Sequence, residues 1–303
     1  MNSTTTKDMA TKDITTNVIT KIMAMVDGSI YAQSVCDHTA WLAQKANATV
    51  DLVHVLAGSQ SAVDDGSNLS GSIGLGARTA LLEELVELDA QKAKLAHKIG
   101  RAILDEAKIR MHDDGIDAVT TRLRHGDIVE TVEESDQGAD LLVIGKRGIH
   151  AEHDMLHLGI NLEGVVRSSK KPVLVASRVF KPIQRLLIAF DGGESVGKAI
   201  DHLANNPVFK GIECQLLAVG SESSKGAQII QQAAEQLRSA GLSVEFSIEP
   251  GQPKEVISRH VETDGFDLLV MGGYGHSHIR NLFVGSTTSV MLASCKIPVL
   301  LFH

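Results

Sequence analysis

The sequence predicts an α/β protein built from two tandem doubly wound domains, each with a five-stranded parallel sheet flanked by helices. Short apolar runs alternate with longer segments of helical periodicity along most of the 303 residues. The apolar runs are nearly continuous, as in parallel strands covered on both faces. The pattern then starts a second time in the middle of the chain, which indicates an internal repeat.

The repeat is carried by matching segments at nearly constant offsets. ADLLVIGKRG from Ala139 matches FDLLVMGGYG from Phe266 at an offset of 127, and KKPVLV from Lys170 matches KIPVLL from Lys296 at 126. The openings AMVDGS and IAFDGG align at an offset of 164, so the first half has about 37 additional residues. We predict a tail at 1–16, one domain at 17–179 and a second at 180–303.

In the first half, strands are predicted at Val18–Val26, Thr49–Leu56 and Ile116–Leu123, with a helix after the first. The inserted region, 57–113, begins with a Gly- and Ser-rich loop that we expect to be mobile, and continues as a long helical stretch from Arg78. The remaining strands precede Gly145 and Ser177, and Phe180–Gln184 reads as the linker.

Apolar residues recur in the long helical stretch at alternating spacings of four and three, except where Lys92 takes an apolar slot: Leu81, Leu85, Leu88, Leu95, Ile99 and Ala102. One interpretation is a continuous helix of roughly 50 Å that overhangs the sheet and meets a partner. The other, which we favour at this point, is a kinked or split crossover helix whose apolar stripe packs on the sheet.

The composition limits the classes of function. A net charge of -8 and 3% aromatic residues argue against wrapping or stacking on nucleic acid. No apolar run approaches the roughly 18 residues of a membrane span, so we expect no membrane association. The three cysteines, Cys36, Cys214 and Cys295, are far apart and show neither disulfide nor metal spacing, which suggests the reducing cytoplasm.

The most informative stretch is LLVMGGYGHSHIRNLFVGSTTSV, from Leu268 to Val290. An apolar strand ends at Gly272, Gly275 follows, and Gly285 precedes a helical segment that starts with hydroxyl side chains. Glycines allow close backbone approach, and a helix N-terminus favours an anion such as phosphate. In a doubly wound sheet, ligands bind beyond the carboxyl ends of the strands where the strand order reverses. Asp191, at the end of the first strand of this half, would meet Gly272 there.

The spacing of Gly272, Gly275, Gly285 and the following Ser-Thr resembles the nucleotide motif of the universal stress protein family. The resemblance covers both halves and identifies a tandem-domain bacterial member. It implies a strand order of 3-2-1-4-5 in each domain and pairing of the two domains through their last strands. We also expect a homodimer, formed through the long helix or the His-rich loop, and a protein partner that the sequence does not identify. Cytoplasmic location and a stress-response role are also implied.

The resemblance further implies that the second domain binds ATP or a related adenine nucleotide. Asp191 would contact the adenosine end, Val219 and Met271 would line the adenine pocket, and the motif glycines would present N–H groups to the phosphates. The implied binding residues are Asp191, Val219, Met271, Gly272, Gly275, Gly285, Ser286 and Thr287. Magnesium, when present, would be held mostly by phosphate oxygens and water.

The first half departs from the motif. Ten residues instead of nine separate Gly148 from Gly159, and Ile160 and Asn161 replace the hydroxyl residues. Asp27 and Val55 keep the strand-end positions, so we expect the fold without a working nucleotide site.

Two other motifs favour ordinary structural interpretations. The segment DGGESVGKA from Asp191 nearly spells a phosphate-binding loop, but Ala199 replaces the metal-binding hydroxyl residue, so we interpret it as a coincidence. His150, His153 and His157 could bind a metal, although a solvated or subunit-contacting loop fits them better.

Three functions stay open. The leading hypothesis is a nucleotide-binding module that is not an enzyme, because no nucleophile stands at motif spacing from a base. The alternatives are a structural or interaction protein of the same fold that binds no nucleotide, and a slow ATP hydrolase related to the adenine-nucleotide α-hydrolases.

Overall fold

A computed structural model describes residues 18–57, 75–135, 138–148, 161–221, 224–273 and 286–303 of the chain. The predicted tail, 1–16, and most of the Gly- and Ser-rich loop lie outside these residues. The described residues form two halves of the same design.

The first half alternates strands and helices. Its elements are β1 (Lys21–Met25), α1 (Ala32–Ala46), β2 (Thr49–Ala57), α2 (Leu75–Asp113), β3 (Val119–Gly126), α3 (Ile128–Ser135), β4 (Leu141–Gly145), α4 (Leu162–Ser168) and β5 (Val173–Ala176).

The second half repeats this alternation. Its elements are β6 (Arg185–Phe190), α5 (Glu194–Asn205), a short 3-10 turn (Pro207–Phe209), β7 (Glu213–Val219), α6 (Ser224–Ser239), β8 (Ser243–Glu249), α7 (Pro253–Thr263), β9 (Leu268–Gly272), α8 (Ser286–Ser294) and β10 (Val299–Phe302).

The ten strands form one sheet in the order β3-β2-β1-β4-β5-β10-β9-β6-β7-β8. Within each half all pairings are parallel and follow the predicted order 3-2-1-4-5. The halves join through the antiparallel pair β5 and β10, in which Leu174 faces Leu300. The predicted fold class is therefore confirmed.

Two apolar layers cover the two faces of the sheet. Successive strand residues alternate between them: Leu186 and Ile188 point to the layer that holds α1, α2, α5 and α6, and Leu187 to the layer that holds α3, α4, α7 and α8. Burial on both faces explains why the strands read as nearly continuous apolar runs.

A repeated carboxylate fixes the start of each half. Asp140 Oδ2 accepts hydrogen bonds from the N–H groups of Thr20 and Lys21, at 2.9 and 3.0 Å. Asp267 Oδ2 accepts in the same way from Gln184 and Arg185, at 3.0 and 3.1 Å. Both carboxylates lie at the amino edge of the sheet, opposite the edge where ligands bind in this fold.

The interpretation of α2 that we favoured from the sequence is wrong. The helix is continuous over 39 residues, and its predicted apolar stripe does not pack on the sheet: Leu81, Leu88, Leu95 and Ile99 are exposed. A second stripe, including Leu104 and Met111, is buried instead. Both stripes satisfy helical spacing, and the sequence does not reveal which of them the sheet covers.

The strand predicted at Ile116–Leu123 begins three residues later, at Val119. Gly115 adopts φ 79°, and Ile116 N–H bonds to the Met111 carbonyl at 2.9 Å, which terminates α2. Ile116 is buried, but it belongs to the turn that ends α2 and not to strand β3. A prediction based on apolar periodicity therefore places the start of the strand too early.

Candidate functional site

The carboxyl ends of β6 and β9 form the switch point of the second half. β6 pairs with β7 on one side and with β9 on the other. The helix that follows β6, α5, packs in one apolar layer, and α8, which follows β9, packs in the opposite layer. The crossovers therefore diverge between these two strands, where a doubly wound sheet opens a crevice.

Asp191 directly follows β6 at this switch point. It is exposed, and its Oδ1 accepts a hydrogen bond from the Gly193 N–H at 2.8 Å. Gly192 between them adopts φ 70°, a left-handed conformation that glycine tolerates. The turn thus fixes the carboxylate beside the strand end while leaving it in contact with solvent.

Met271 and Val219 lie on one face of the sheet, on either side of β6. Met271 is the register partner of Ala189 in β6, and Val219 ends β7 opposite Glu249. Both belong to the apolar layer of α7 and α8, in which Met271 is buried and Val219 is half-buried. Strands lie about 4.8 Å apart and rise about 3.3 Å per residue, and Val219 lies two residues beyond the position of β7 level with Met271, so the two residues are roughly 12 Å from each other.

The start of α8 is attached to the end of β9. Thr288 is buried, and its Oγ1 donates a hydrogen bond to the Gly272 carbonyl at 3.2 Å. This bond places Ser286 and Thr287, the first residues of α8, at the carboxyl edge of the sheet. The N–H groups of a first helical turn have no partners within the helix, so they are available to an acceptor.

Gly272 also lies against the start of α5. A Cβ added to it would be 3.1 Å from the Cβ of Ser195, tighter than most real contacts. The strand end, the first turn of α5 and the first turn of α8 therefore converge here. Gly275 and Gly285, predicted to contact phosphates, lie outside the described residues.

The equivalent loop of the first half lies against its aspartate. A Cβ added to Gly148 would be 3.0 Å from Oδ2 of Asp27, and Ser29 Oγ donates to the Arg147 carbonyl at 3.4 Å. Asp27 is half-buried, whereas Asp191 is exposed. Gly148 thus approaches the carboxylate of the first half at the position where a ligand would need space.

The first-half strand end also carries a larger neighbour. A Cβ added to Gly145 would lie 2.9 Å from the Cβ of Tyr31, a buried residue that stands where the second half has Ser195. Asn161 precedes α4 without a side-chain capping bond. Gly159 and Ile160 are outside the described residues, as are His150, His153 and His157 of the metal alternative.

Lys146 is a residue of the glycine loop whose role sequence reasoning missed. It is buried, and its Nζ donates to the Cys295 carbonyl in the second half at 2.7 Å. Burial lowers the pKa of its ammonium group to about 8. The contact joins residues 149 positions apart, which leaves no local signal in the sequence.

The glycine-lysine pair of the near phosphate-loop motif lies inside a helix. Gly197 and Lys198 belong to α5, which begins at Glu194. Lys198 Nζ donates to the His303 carbonyl at 2.8 Å and lies 3.1 Å from Glu194 Oε1. Lys198 thus lies one turn inside the helix and is held by the His303 carbonyl and the Glu194 carboxylate. This position supports the interpretation that the resemblance to a phosphate-binding loop is a coincidence.

The described residues include no group of three or more His, Cys, Asp or Glu side chains that could hold a metal ion. None of the described helices combines the length and apolar character that a membrane crossing requires.

The fold and the switch point define a tandem pair of doubly wound α/β domains with an exposed carboxylate and a helix start at the crevice of the second. A sequence model of the Universal stress protein family matches residues 19–177 and 182–303. The chain therefore belongs to the universal stress protein family.

The chain is similar over nearly its whole length to several known proteins. It is 36% identical over 285 residues to universal stress protein Slr1230 of Synechocystis, covering 93% of this chain and 99% of that protein. A universal stress protein structure from Archaeoglobus fulgidus superposes with a TM-score of 0.63 at 19% identity, covering 93% and 95% of the two chains. PA1789 of Pseudomonas aeruginosa gives 0.57 at 15% identity, covering 95% and 93%.

Proposed function

We propose that this universal stress protein binds ATP or a related adenine nucleotide in its C-terminal domain, 180–303, and that occupancy sets its shape or its partners. The observation that carries the proposal is the hydrogen bond from Thr288 to the Gly272 carbonyl. It holds the first turn of α8 at the carboxyl end of β9, beside the exposed Asp191. Free N–H groups and the positive end of a helix dipole favour phosphate at such a position.

The proposal gives each predicted residue a role. Val219 and Met271 share one sheet face and would contact the flat apolar surface of adenine, and Asp191 would accept a hydrogen bond from the ribose end. Gly272, Gly275 and Gly285 would let the backbone approach the phosphates. Ser286 and Thr287 would add hydroxyl donors. Magnesium would be held by phosphate oxygens and water.

The proposal assigns one site to each chain. In the first domain, 17–179, Gly148 approaches the Asp27 carboxylate and Tyr31 packs on Gly145. Ile160 also replaces a hydroxyl donor of the motif with an apolar side chain. A triphosphate in this half would therefore meet a loop that lies against the carboxylate, and fewer hydrogen-bond donors in the motif.

The protein acts in this proposal as a binding module of the cytoplasm and not as an enzyme. Asp191 can orient a ligand, but none of the predicted contacts supplies a nucleophile paired with a base. Three buried free thiols, those of Cys36, Cys214 and Cys295, suit a reducing compartment. A homodimer and an unknown protein partner complete the proposal.

Isothermal titration calorimetry of the full chain with ATP, ADP and AMP tests this function. We expect about one adenine nucleotide per chain and much weaker binding of GTP, because guanine presents different groups to a pocket shaped for adenine. No detectable binding by a chain with a native circular dichroism spectrum would overturn the proposal in favour of an interaction protein. Release of ADP during the titration would instead favour the ATP hydrolase.

A further inference from the structure

Helix α2 is longer than the part of it that packs on the sheet. At 1.5 Å per residue its 39 residues span about 58 Å. Leu104, Ala107 and Met111 near its end are buried in the apolar layer. Gly100 is the first buried residue among the described side chains of the helix, where an added Cβ would come within 2.7 Å of Leu123.

The segment before Gly100 carries apolar side chains into solvent. We call residues 81–99 the overhang. Leu95 is 58% exposed and Leu81 is 52% exposed, whereas Leu85 is half-buried. The exposed large apolar residues of the overhang are Leu81, Leu82, Val86, Leu88, Leu95 and Ile99.

Most of these residues follow a heptad. Leu81, Leu85, Leu88, Leu95 and Ile99 occupy alternating a and d positions, and Lys92 takes the remaining a position. We call this row the seam. At 100° per residue the seam lies roughly 120° around the helix from the buried stripe, so packing on the sheet leaves its apolar residues exposed, except for the half-buried Leu85.

The charges of α2 indicate what covers the seam. Within residues 81–101 the acidic residues come first and the basic residues second, with the change of sign near Gln91. The acidic residues are Glu83, Glu84, Glu87 and Asp89, and the basic residues are Lys92, Lys94, Lys98 and Arg101. A twofold axis through Gln91 would set each acidic half against the basic half of an identical helix, whereas a parallel pair would set like charges together.

We propose that the overhangs of two copies of this chain pair antiparallel through the seam, about a twofold axis near Gln91. In this register Ile99 packs against Leu81 of the second copy, and Leu95 against Leu85 of the second copy. Glu84 lies beside Lys98 of the second copy along the edge of the seam. Lys92 faces Leu88 of the second copy, with an Asp89 carboxylate from each helix within reach.

The lysine within the seam explains the register. Lys92 Nζ lies 4.0 Å from Asp89 Oδ1 on its own helix, and both residues are exposed enough to share this charge with another chain. A polar residue at one a position disfavours registers that would bury it against leucine without a counter-ion. The proposed register adds the Asp89 carboxylate of the second copy to the one that each Lys92 already has on its own helix.

Sedimentation equilibrium of the full chain tests the dimer. We expect twice the 32.4 kDa mass of one chain, and about 100-fold weaker association for Leu95→Glu, which would bury a carboxylate in the seam. Because Leu95 is exposed, the variant should keep its far-ultraviolet circular dichroism spectrum. A monomeric wild-type chain, or a dimer that Leu95→Glu leaves unchanged, would overturn the proposal.

Charge reversal tests the orientation. Glu84→Lys and Lys98→Glu should each weaken the dimer several-fold, and the double variant should restore it. Glu83→Lys makes the same charge change on the outer side of the helix and serves as the matched control, with less than a twofold effect. Strengthening by Glu84→Lys would contradict the antiparallel arrangement, because a parallel pair sets Glu84 near an acidic Asp89.

A crosslink tests the axis independently of affinity. Gln91→Cys introduces an exposed thiol into a chain whose native cysteines are buried. A short bismaleimide should join two copies of this variant, whereas Glu83→Cys should remain uncrosslinked. Equal crosslinking of the two variants would place the contact elsewhere and reject the register.

Discussion

The ammonium group of Lys146 caps the helix end at Cys295 across the junction of the two halves. Its Nζ donates to the Cys295 carbonyl at 2.7 Å, and the lysine side chain is buried. A carbonyl at a helix C-terminus has no partner within the helix and carries partial negative charge. Lys146 follows β4, so the glycine loop of the first domain anchors α8, the helix whose other end belongs to the proposed phosphate site.

Replacing Lys146 with methionine should destabilise the protein. Lys146→Met keeps an unbranched apolar chain but leaves the buried Cys295 carbonyl without its donor, at a cost of about 1 to 3 kcal/mol in the free energy of unfolding. Urea unfolding followed by circular dichroism measures this loss. Lys181→Met, the same change at an exposed lysine, should shift the value by less than about 0.5 kcal/mol. Equal free energies of unfolding for the two variants would show that the hydrogen bond from Lys146 to the Cys295 carbonyl does not stabilise the fold.

Two buried histidines should make the protein sensitive to acid. His38 and His202 occupy equivalent positions in the two halves, and the Nε2 atom of each has no hydrogen-bond partner within the described part of the chain. His202 lies edge-on to Phe302, with ring centroids 5.2 Å apart. Burial lowers the pKa of His202 to about 4, and burial also lowers the pKa of His38.

The sign of the pH dependence follows from these shifts. Because the folded-state pKa of His202 lies below its ordinary value of 6.5, protons bind the unfolded chain more tightly. Stability is fully present above about pH 6.5 and falls as the pH drops towards 4, by about 2 kcal/mol at pH 5 for His202.

His202→Phe should flatten this acid dependence. Denaturant unfolding between pH 7.5 and pH 5 measures the slope, and His112→Phe, at an exposed histidine, should leave the wild-type slope unchanged. If the free energy of unfolding depends on pH equally in both variants, a group other than His202 causes the acid sensitivity.

Thr288 should affect ligand affinity without touching the ligand. Thr288→Val keeps the shape of the side chain but removes its hydrogen bond to the Gly272 carbonyl, which positions the start of α8. We expect about tenfold weaker ATP binding by calorimetry and a loss of about 1 kcal/mol in stability. Ser294→Ala, which removes a hydroxyl that bonds within the other end of α8, should leave affinity unchanged. If both variants bind ATP with equal affinity, the hydrogen bond of Thr288 does not position the start of α8 for the ligand.

Much of the fold was predictable because its signals are local. Strands buried on both faces appear in the sequence as apolar runs, and the internal repeat indicates how many strands each half has. The order of the strands in the sheet was predicted from the family resemblance. The convergence of Asp191 and Gly272 also followed, since both residues end neighbouring strands at one edge of the sheet.

Other features depend on contacts that the sequence does not encode locally. Lys146 meets a carbonyl 149 positions away, and the choice between the two apolar stripes of α2 depends on where β2 and β3 lie. Tyr31 above Gly145 is similar: its burial follows from the packing of α1 and not from its sequence neighbours. The nucleotide contacts of Gly275 and Gly285 stay predictions.

The central claim is a single nucleotide site in the second domain, and a pair of glycine variants tests it most directly by titration calorimetry with ATP. Gly275→Val should abolish binding, because the added side chain would intrude between backbone and phosphate. Gly148→Val, the equivalent change in the first domain, should leave about one site per chain. Equal loss of binding in both variants, or unchanged binding in Gly275→Val, would contradict the account.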